Sequence, residues 1–384
     1  MEDRCVVVCL TTESSPDVVC RRQEPGMLAR RWPYSRSAPN KERIKTFIVY
    51  KLPENTKNKV NDGYSFYYMD VNNPSWSKSS LGINENRGHA VYYTLQQIYG
   101  TKQNDTFLYA FYNDQPPPKS ESLNHGHTKG AFAFEKTGGF WMISSIPHFP
   151  SPKKLGYLYP KSGRDNGQTI LCISLKYGSM DDIAKIMQFT YPKFYDYNLP
   201  KSFADASPAM TAILNKKQEH VTTPPYQGQT SLQSKAGQEF LNFAKAGNFE
   251  ADLYDSFVSC QLKNDLQVET WQNGEKSKVL PSNCSVKCEG DSSTRSVFNI
   301  NSISIQGDNF KETKDHSKWA VSKTDQWVCI GDINRLETQF HRGGATTCFQ
   351  NGQVHKGFTQ IIAGYNKCGT FNKDFFQPVE LLST

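Results

Sequence analysis

The chain contains no run of about 18 apolar residues, so no transmembrane helix is expected. It has no Cys-x-x-Cys pair, and Cys284-x-x-x-Cys288 has no second half at zinc-ligand spacing, which argues against a structural zinc site. Histidine is scarce, with eight residues in all, so the context of each can be weighed separately. The net charge of +7 is mild: it suits a polyanionic partner without requiring one. The N-terminus lacks the pattern of a secretion signal, because Met1-Glu2-Asp3 is acidic and the apolar run from Cys5 to Leu10 is short. Residues 11–45 are polar, arginine-rich and aperiodic, so residues 1–44 are expected to form a poorly structured extension or to stand in place of a signal segment.

What is present points to a packed fold. In 384 residues, 37% hydrophobic and 12% aromatic content allows a large core, and long helix-periodic stretches are few. A mixed α/β protein is expected, with a globular part over residues 45–384. Ten cysteines, seven of them from Cys172 onward, favour structural disulfides and an oxidising compartment. Two glycosylation sequons, at Asn104 and Asn283, agree with that setting.

Thr46–Leu52 is a β-branched and aromatic run closed by Pro53 and predicts a buried strand, with a second over Tyr64–Asp70. Helical spacing of Val91, Leu95 and Ile98 predicts a helix over Gly88–Tyr99. Lys129–Phe134 and Phe140–Ser145, joined by Lys136-Thr137-Gly138-Gly139, predict a hairpin. A strand over Gln168–Leu175 and a helix over Ser179–Phe189 follow, and Tyr191–Thr230 reads as a long connection between halves at about 45–200 and 230–384. In the second half, Ser234–Ala246 and Val354–Tyr365 read as helices. Asp252–Leu262 reads as a strand or short helix, Asp265–Trp271 and Val297–Ile305 as strands, and His316–Ser322 with Gln326–Ile330 as a hairpin.

One pattern recurs. His127-Thr128-Lys129 leads into Gly-Ala-Phe-Ala, and His316-Ser317-Lys318 leads into Trp-Ala-Val-Ser, each followed by an acidic residue and a tryptophan strand. Duplicated halves sharing one site fit this best. Residues i and i+2 of an extended segment face the same side, so each His-x-Lys presents an imidazole beside an ammonium. Two such pairs suit phosphodiester cleavage through a covalent intermediate: one histidine attacks phosphorus, the other protonates the leaving oxygen, and the lysines take the phosphate charge in place of a metal. A lone His-x-Lys is usually an ordinary strand end; the repeated context is what lifts this pair. His125 offers a His-x-His with no carboxylate cluster beside it, and His89, His148, His220, His341 and His355 show no comparable pairing. Asn334, after the second motif's strand, is a candidate to orient His316 or bind phosphate; Ser144 and Ser145 hold the corresponding place in the first half.

Several segments together resemble deoxyribonuclease II. They are Val49-Tyr50-Lys51-Leu52-Pro53, Tyr112-Asn113-Asp114-Gln115-Pro116-Pro117, Gly126-His127-Thr128-Lys129-Gly130, Gly139-Phe140-Trp141, Gly167-Gln168-Thr169, His316-Ser317-Lys318-Trp319 and Gly331-Asp332-Ile333-Asn334-Arg335. They keep their order from about Thr46 to the C-terminus. The resemblance implies a phospholipase D-like sandwich of two pseudo-duplicated halves with mixed sheets, and acid endonucleolytic cleavage of DNA to 3′-phosphate ends without a cofactor. It places catalysis on His127, Lys129, His316 and Lys318, with no metal, and favours His127 as nucleophile and His316 as general acid. It also implies disulfides Cys329–Cys348 and Cys288–Cys368, with Cys172 either unpaired or joined to Cys20. DNA is the implied partner, a homodimer is among the expected assemblies, and the implied location is lysosomal or secreted. The chain departs from the family at Ser144, where a histidine of a His-Ser-[Val/Ile]-Pro segment is usual, and at Ala320, where a cysteine is usual. A catalytically weak or inactive homologue that binds DNA or another partner is therefore the alternative, and a lipid phosphodiesterase a third.

Overall fold

The computed structural model describes residues 17–22, 46–55, 62–102, 105–118, 121–215, 219–273 and 278–369. Strands dominate and fall into two sheets. The first holds β1 (Thr46–Lys51), β2 (Phe66–Asp70), β3 (Ser77–Lys78), β4 (Leu108–Asn113), β5 (Lys129–Glu135), β6 (Gly138–Ser144), β7 (Gln168–Leu175) and β8 (Phe194–Asn198). The second holds β9 (Gln227–Gln233), β10 (Glu239–Lys245), β11 (Leu266–Glu269), β12 (Asn283–Lys287), β13 (Thr294–Ile305), β14 (Asp308–Lys311), β15 (Trp319–Ser322), β16 (Trp327–Gly331), β17 (Gly344–Gln350) and β18 (Ile362–Tyr365). The helices are α1 (Ala90–Tyr99), α2 (Ser179–Thr190), α3 (Lys201–Ala206), α4 (Pro208–Leu214), α5 (Ser259–Leu262) and α6 (Gly352–Thr359).

The two sheets repeat one order of hydrogen-bonded neighbours: β2-β1-β7-β6-β5-β4-β8 in the first and β9-β10-β17-β16-β15-β11-β13 in the second. Registers repeat as well. Gly130 lies opposite Ile143 as Trp319 lies opposite Ile330, and Ser144 lies opposite Ile170 as Gly331 lies opposite Thr346. Only the outer pair differs in sense, with β4 and β8 antiparallel but β11 and β13 parallel.

The inner faces of both sheets, together with α2, α4 and α6, share one apolar cluster that includes Tyr50, Phe132, Trp141, Met187, Phe240, Trp319 and Phe358. The outer face of the first sheet packs against α1, and the outer face of the second against the turns from Leu253 to Leu262. Strands buried on both faces have no polar side to alternate with, which explains why β1, β4 and β7 read as continuous apolar runs.

The same effect misleads over Ser234–Ala246. The segment expected to be a helix is strand β10, with Phe240 and Ala244 in the inner cluster and Phe243 in the outer one. Apolar residues at 240, 243 and 244 fit a helix face as well as a two-faced strand. The helix expected over Val354–Tyr365 stops at Thr359; its last residues pair with β13 as β18. The connection expected over Tyr191–Thr230 carries β8, α3, α4 and the start of β9. Asp252–Leu262 resolves into a π-helical turn over Tyr254–Val258 followed by α5.

The cysteines join as Cys20–Cys172, Cys260–Cys288, Cys284–Cys368 and Cys329–Cys348. The implied Cys288–Cys368 bond is thus replaced: Cys288 meets Cys260, beside α5, and Cys284 takes Cys368. Residues 17–22, within the stretch expected to be unstructured, are tied down. The Cys20 amide donates to Ser174 Oγ (2.9 Å), the Arg21 amide donates to Thr94 Oγ1 (2.9 Å), and Val18, Val19 and Cys20 are buried. A disulfide and a buried apolar patch supply the order that the local sequence does not. The sequon at Asn104 lies outside the described residues; Asn283 sits at the start of β12, where its Oδ1 accepts from the Ser285 amide.

Candidate active site

The two His-x-Lys segments occupy matching places just before β5 and β15, and each is anchored by the other half. The His127 amide donates to the Gly343 carbonyl (2.8 Å), and the His316 amide donates to the Gly167 carbonyl (2.8 Å). By register, Gly343 and Gly167 are themselves counterparts, each one residue before the strand that neighbours the motif hairpin. The approach is close. A Cβ on Gly343 would lie 2.4 Å from the Thr190 carbonyl oxygen, and one on Gly126 only 1.8 Å from the same atom, so no side chain fits at either position.

His127, Lys129 and Lys318 are buried and His316 is half-buried, and they act on one another electrostatically across the interface between the sheets. Lys318 acts on His127, while Lys129 and His127 act on His316. Burial, reinforced by the lysines, holds both imidazoles well below their ordinary range. Burial and the proximity of Lys129 bring the Lys318 ammonium down to about 7.

The imidazole of His127 is held by a hydrogen bond. Its Nδ1 contacts the Asp332 carbonyl oxygen, which can only accept, so Nδ1 carries the proton and Nε2 a free lone pair. Lys129 Nζ stands 3.5 Å from Nε2 and 2.5 Å from Asp114 Oδ1. Burial would raise the Asp114 carboxyl, but Lys129, His127 and Arg342 outweigh it and hold the group well below the usual carboxylate range. Arg342, from the second half, closes the cluster: it bonds Asp114 Oδ2 (2.9 Å), Glu121 Oε1 (2.7 Å) and the His125 carbonyl (3.1 Å). The segment carrying Arg342 is fixed in turn by Lys245, whose ammonium donates to the carbonyls of Gln339, Phe340 and Arg342 at 2.8–2.9 Å.

His316 sits differently. Its Nδ1 is buried with no hydrogen-bond partner among the described residues, and its ring stands against Trp271 with centroids 4.0 Å apart. Lys318 Nζ donates to the His316 carbonyl (2.5 Å). Behind the motif, Tyr50 bonds Asp315 and Ser317, Trp319 Nε1 donates to the Tyr50 hydroxyl (3.3 Å), and Glu269 is fully buried. Burial and the nearby Asp315 push the Glu269 carboxyl well above its ordinary range, so it is neutral in acid.

The expected supporting residues have other partners. Asn334 does not bond His316; its Oδ1 accepts from the Trp271 amide (3.2 Å), so it steadies the ring against which His316 rests. Ser145 Oγ bonds Gln168 Oε1 (2.6 Å), and Ser144 Oγ accepts from the Ile146 amide (3.1 Å), a local turn contact. Asp114, Arg342, Trp271 and the Asp332 carbonyl were not singled out from sequence. Asp114 and Asp332 fall within recognisable segments, but nothing local marks Arg342 or Trp271. Among the described residues, no group of three or more His, Cys, Asp or Glu side chains is placed to hold a metal ion.

A family model for deoxyribonuclease II matches residues 37–368. Plancitoxin-1 of Acanthaster planci is 40% identical over 330 residues, 84% of this chain and 89% of that protein. Deoxyribonuclease-2-alpha of Rattus norvegicus is 37% identical, covering 84% of this chain and 91% of its own length. Deoxyribonuclease-2 of Caenorhabditis elegans is 36% identical, covering 84% and 90%. With a whole-fold match and relatives covered nearly end to end, the chain belongs to the deoxyribonuclease II family.

Proposed function

We propose that the protein is an endodeoxyribonuclease that hydrolyses DNA phosphodiesters in acid through a phosphohistidine on His127, without a metal. Family membership supports the substrate and reaction class. The observation that carries the mechanism is the contact of His127 Nδ1 with the Asp332 carbonyl, which leaves Nε2 as the lone pair beside Lys129. In the first step Nε2 attacks phosphorus, the P–O5′ bond breaks, and O5′ leaves as a hydroxyl with the proton of His316. In the second, His316 takes a proton from water, the resulting oxygen attacks phosphorus, and the P–N bond breaks. The products are a 3′-phosphate and free His127. Lys129 and Lys318 offset charge on the non-bridging oxygens throughout.

An acidic optimum follows from the electrostatics. His316 is the proton donor, yet burial and three lysines hold its imidazole below the usual value, so its charged form needs acid or a bound phosphate. A phospholipase D-like arrangement of two duplicated halves belongs to this reading, supported by the repeated strand order. A lysosomal or secreted location also belongs to it, supported by four disulfides. Among the described residues no helix is long and apolar enough to cross a membrane.

Nicking of supercoiled plasmid at pH 5 in EDTA tests this directly, with His316→Ala as control. Cutting by the parent and not by the variant is expected, with 3′-phosphate ends on the product. Chelator-sensitive cutting sinks the metal-free mechanism. DNA binding without cutting by folded protein supports the binding-only alternative, towards which Ser144 points.

A further inference from the structure

Three aromatic rings are stacked beside the first motif, and the reaction scheme uses none of them. His125 and Tyr191 lie nearly parallel, 14° apart with centroids 4.8 Å apart, and Tyr191 meets His220 at 3.9 Å and 35°. His125 is two residues from His127, and the Gly126 amide between them donates to the Tyr191 carbonyl (3.0 Å), so the stack is joined to the catalytic segment by backbone. Its outer end, His220, is exposed. Leu123, on the same loop as His125, is 70% exposed, and Lys193 and Arg342 act electrostatically on His125.

A purely structural role explains this poorly. Tyr191 is the residue that ends α2, in the left-handed region at φ 50°, where glycine or asparagine is the cheaper choice. A bulky ring there strains the backbone, and it does so to present a flat face between two imidazoles at the rim of the site.

We propose that His125, Tyr191 and His220 form a nucleobase-stacking platform that holds one unpaired base of the strand being cut, with Lys193 facing that nucleotide's phosphate. The base lies on the open face of His220. Stacking is tolerant of base identity, because every base has a π face, so the platform fixes the position of the strand rather than its sequence. His125, the inner end of the stack, lies two residues from His127, and His220, the outer end, is two ring contacts further out at 4.8 and 3.9 Å, so the held nucleotide is one near the scissile phosphate. The inference rests on the reading of this site as a DNA-cutting one and adds a subsite to it.

The test uses single-stranded oligonucleotides with one abasic position moved along the strand, cut by the parent, His220→Ala and Tyr191→Gly. Glycine keeps the left-handed backbone at 191, and residue 220 is exposed, so both variants retain the fold. For the parent, removing the base at one register should lower kcat/KM about tenfold, within the range for one aromatic–base stack. Both variants should cut the intact strand about tenfold less well, and neither should lose further activity when that base is removed. A parent indifferent to abasic substitution at every register overturns the platform, as do variants that keep the parent's dependence. A parent that cuts no DNA overturns the underlying reading as well, and that outcome is distinct from either of the other two.

Discussion

The two halves of the site carry the same motif in the same place in the strand order but treat it in opposite ways. In the first, the imidazole of His127 is pinned by a carbonyl from the second half, its lysine is paired with ionised Asp114, and Arg342 reaches across to close the cluster. In the second, the imidazole of His316 has no partner on Nδ1 among the described residues and leans on Trp271, above carboxyl groups that burial keeps neutral in acid. The counterparts diverge at the register positions Ser145 and Asp332: the Asp332 carbonyl serves His127, and the corresponding place near His316 supplies no such bond. A ring with a fixed tautomer suits a nucleophile. One whose proton is not committed suits a group that must give a proton and take it back.

The largest effects should come from breaking this division of labour. His127→Ala should lose at least about 10⁴-fold in kcat on DNA, as removal of a nucleophile does. His316→Ala should lose about 10²–10⁴-fold, the range for general acid catalysis. An aryl phosphodiester, whose leaving group needs no proton, separates the two. The first step of its cleavage, read as a burst of released aryl alcohol, should be largely restored in His316→Ala, with turnover still slow because His316 also activates the water of the second step. The burst should stay lost in His127→Ala. Equal recovery in both variants would mean that the roles are not divided this way.

Next in size is the clamp that spans the halves. Arg342→Ala strands buried Asp114 with one cation fewer and should destabilise the fold by about 3–5 kcal/mol in denaturant melts. Arg335, equally buried and bonded to Asp252 (3.0 Å) within the second half alone, is the control. Both substitutions should lower stability, but only Arg342→Ala should also shift the acid limb of the pH–rate profile, because only Arg342 acts on His127. Identical profiles would reduce Arg342 to a structural cation.

The smallest effect contrasts the two aspartates. Burial raises Asp332 from its usual value to about 7, so between roughly pH 4 and 7 the folded state holds a proton that the unfolded chain has released. Stability from this group is therefore lost as pH rises through that window. Asp332→Asn keeps an oxygen for the Ala345 amide (2.8 Å) and should gain on the parent in Tm from pH 4 to pH 7. Asp114 behaves oppositely: its pairing keeps it ionised, so Asp114→Asn should be less stable than the parent by a constant margin above about pH 4, a margin that narrows only as pH falls below that. A flat Tm difference for Asp332→Asn would show that the buried carboxyl ionises freely.

Much of this was legible one segment at a time. The central strands β1, β5, β6 and β7, the helices α1 and α2, and the two His-x-Lys pairs are local patterns, and their spacing survives in the fold. Strand β10 was misread because a ribbon buried on both faces loses the alternation that identifies strands. The pairings of Cys288 and Cys284 were not decidable from spacing, since Cys260 becomes the nearer partner only once α5 packs beside β12 and β13.

The amino-acid sequence by itself determined which residues are proposed for the chemistry: two imidazoles, two ammonium groups, and the duplicated context that marks them as one set. Only the tertiary structure decided that the two sets are unequal. Their difference rests on single contacts between residues some two hundred positions apart, Asp332 with His127 and Arg342 with Asp114. A hydrogen bond of that kind depends on the placement of both sheets at once, and no local spacing encodes it.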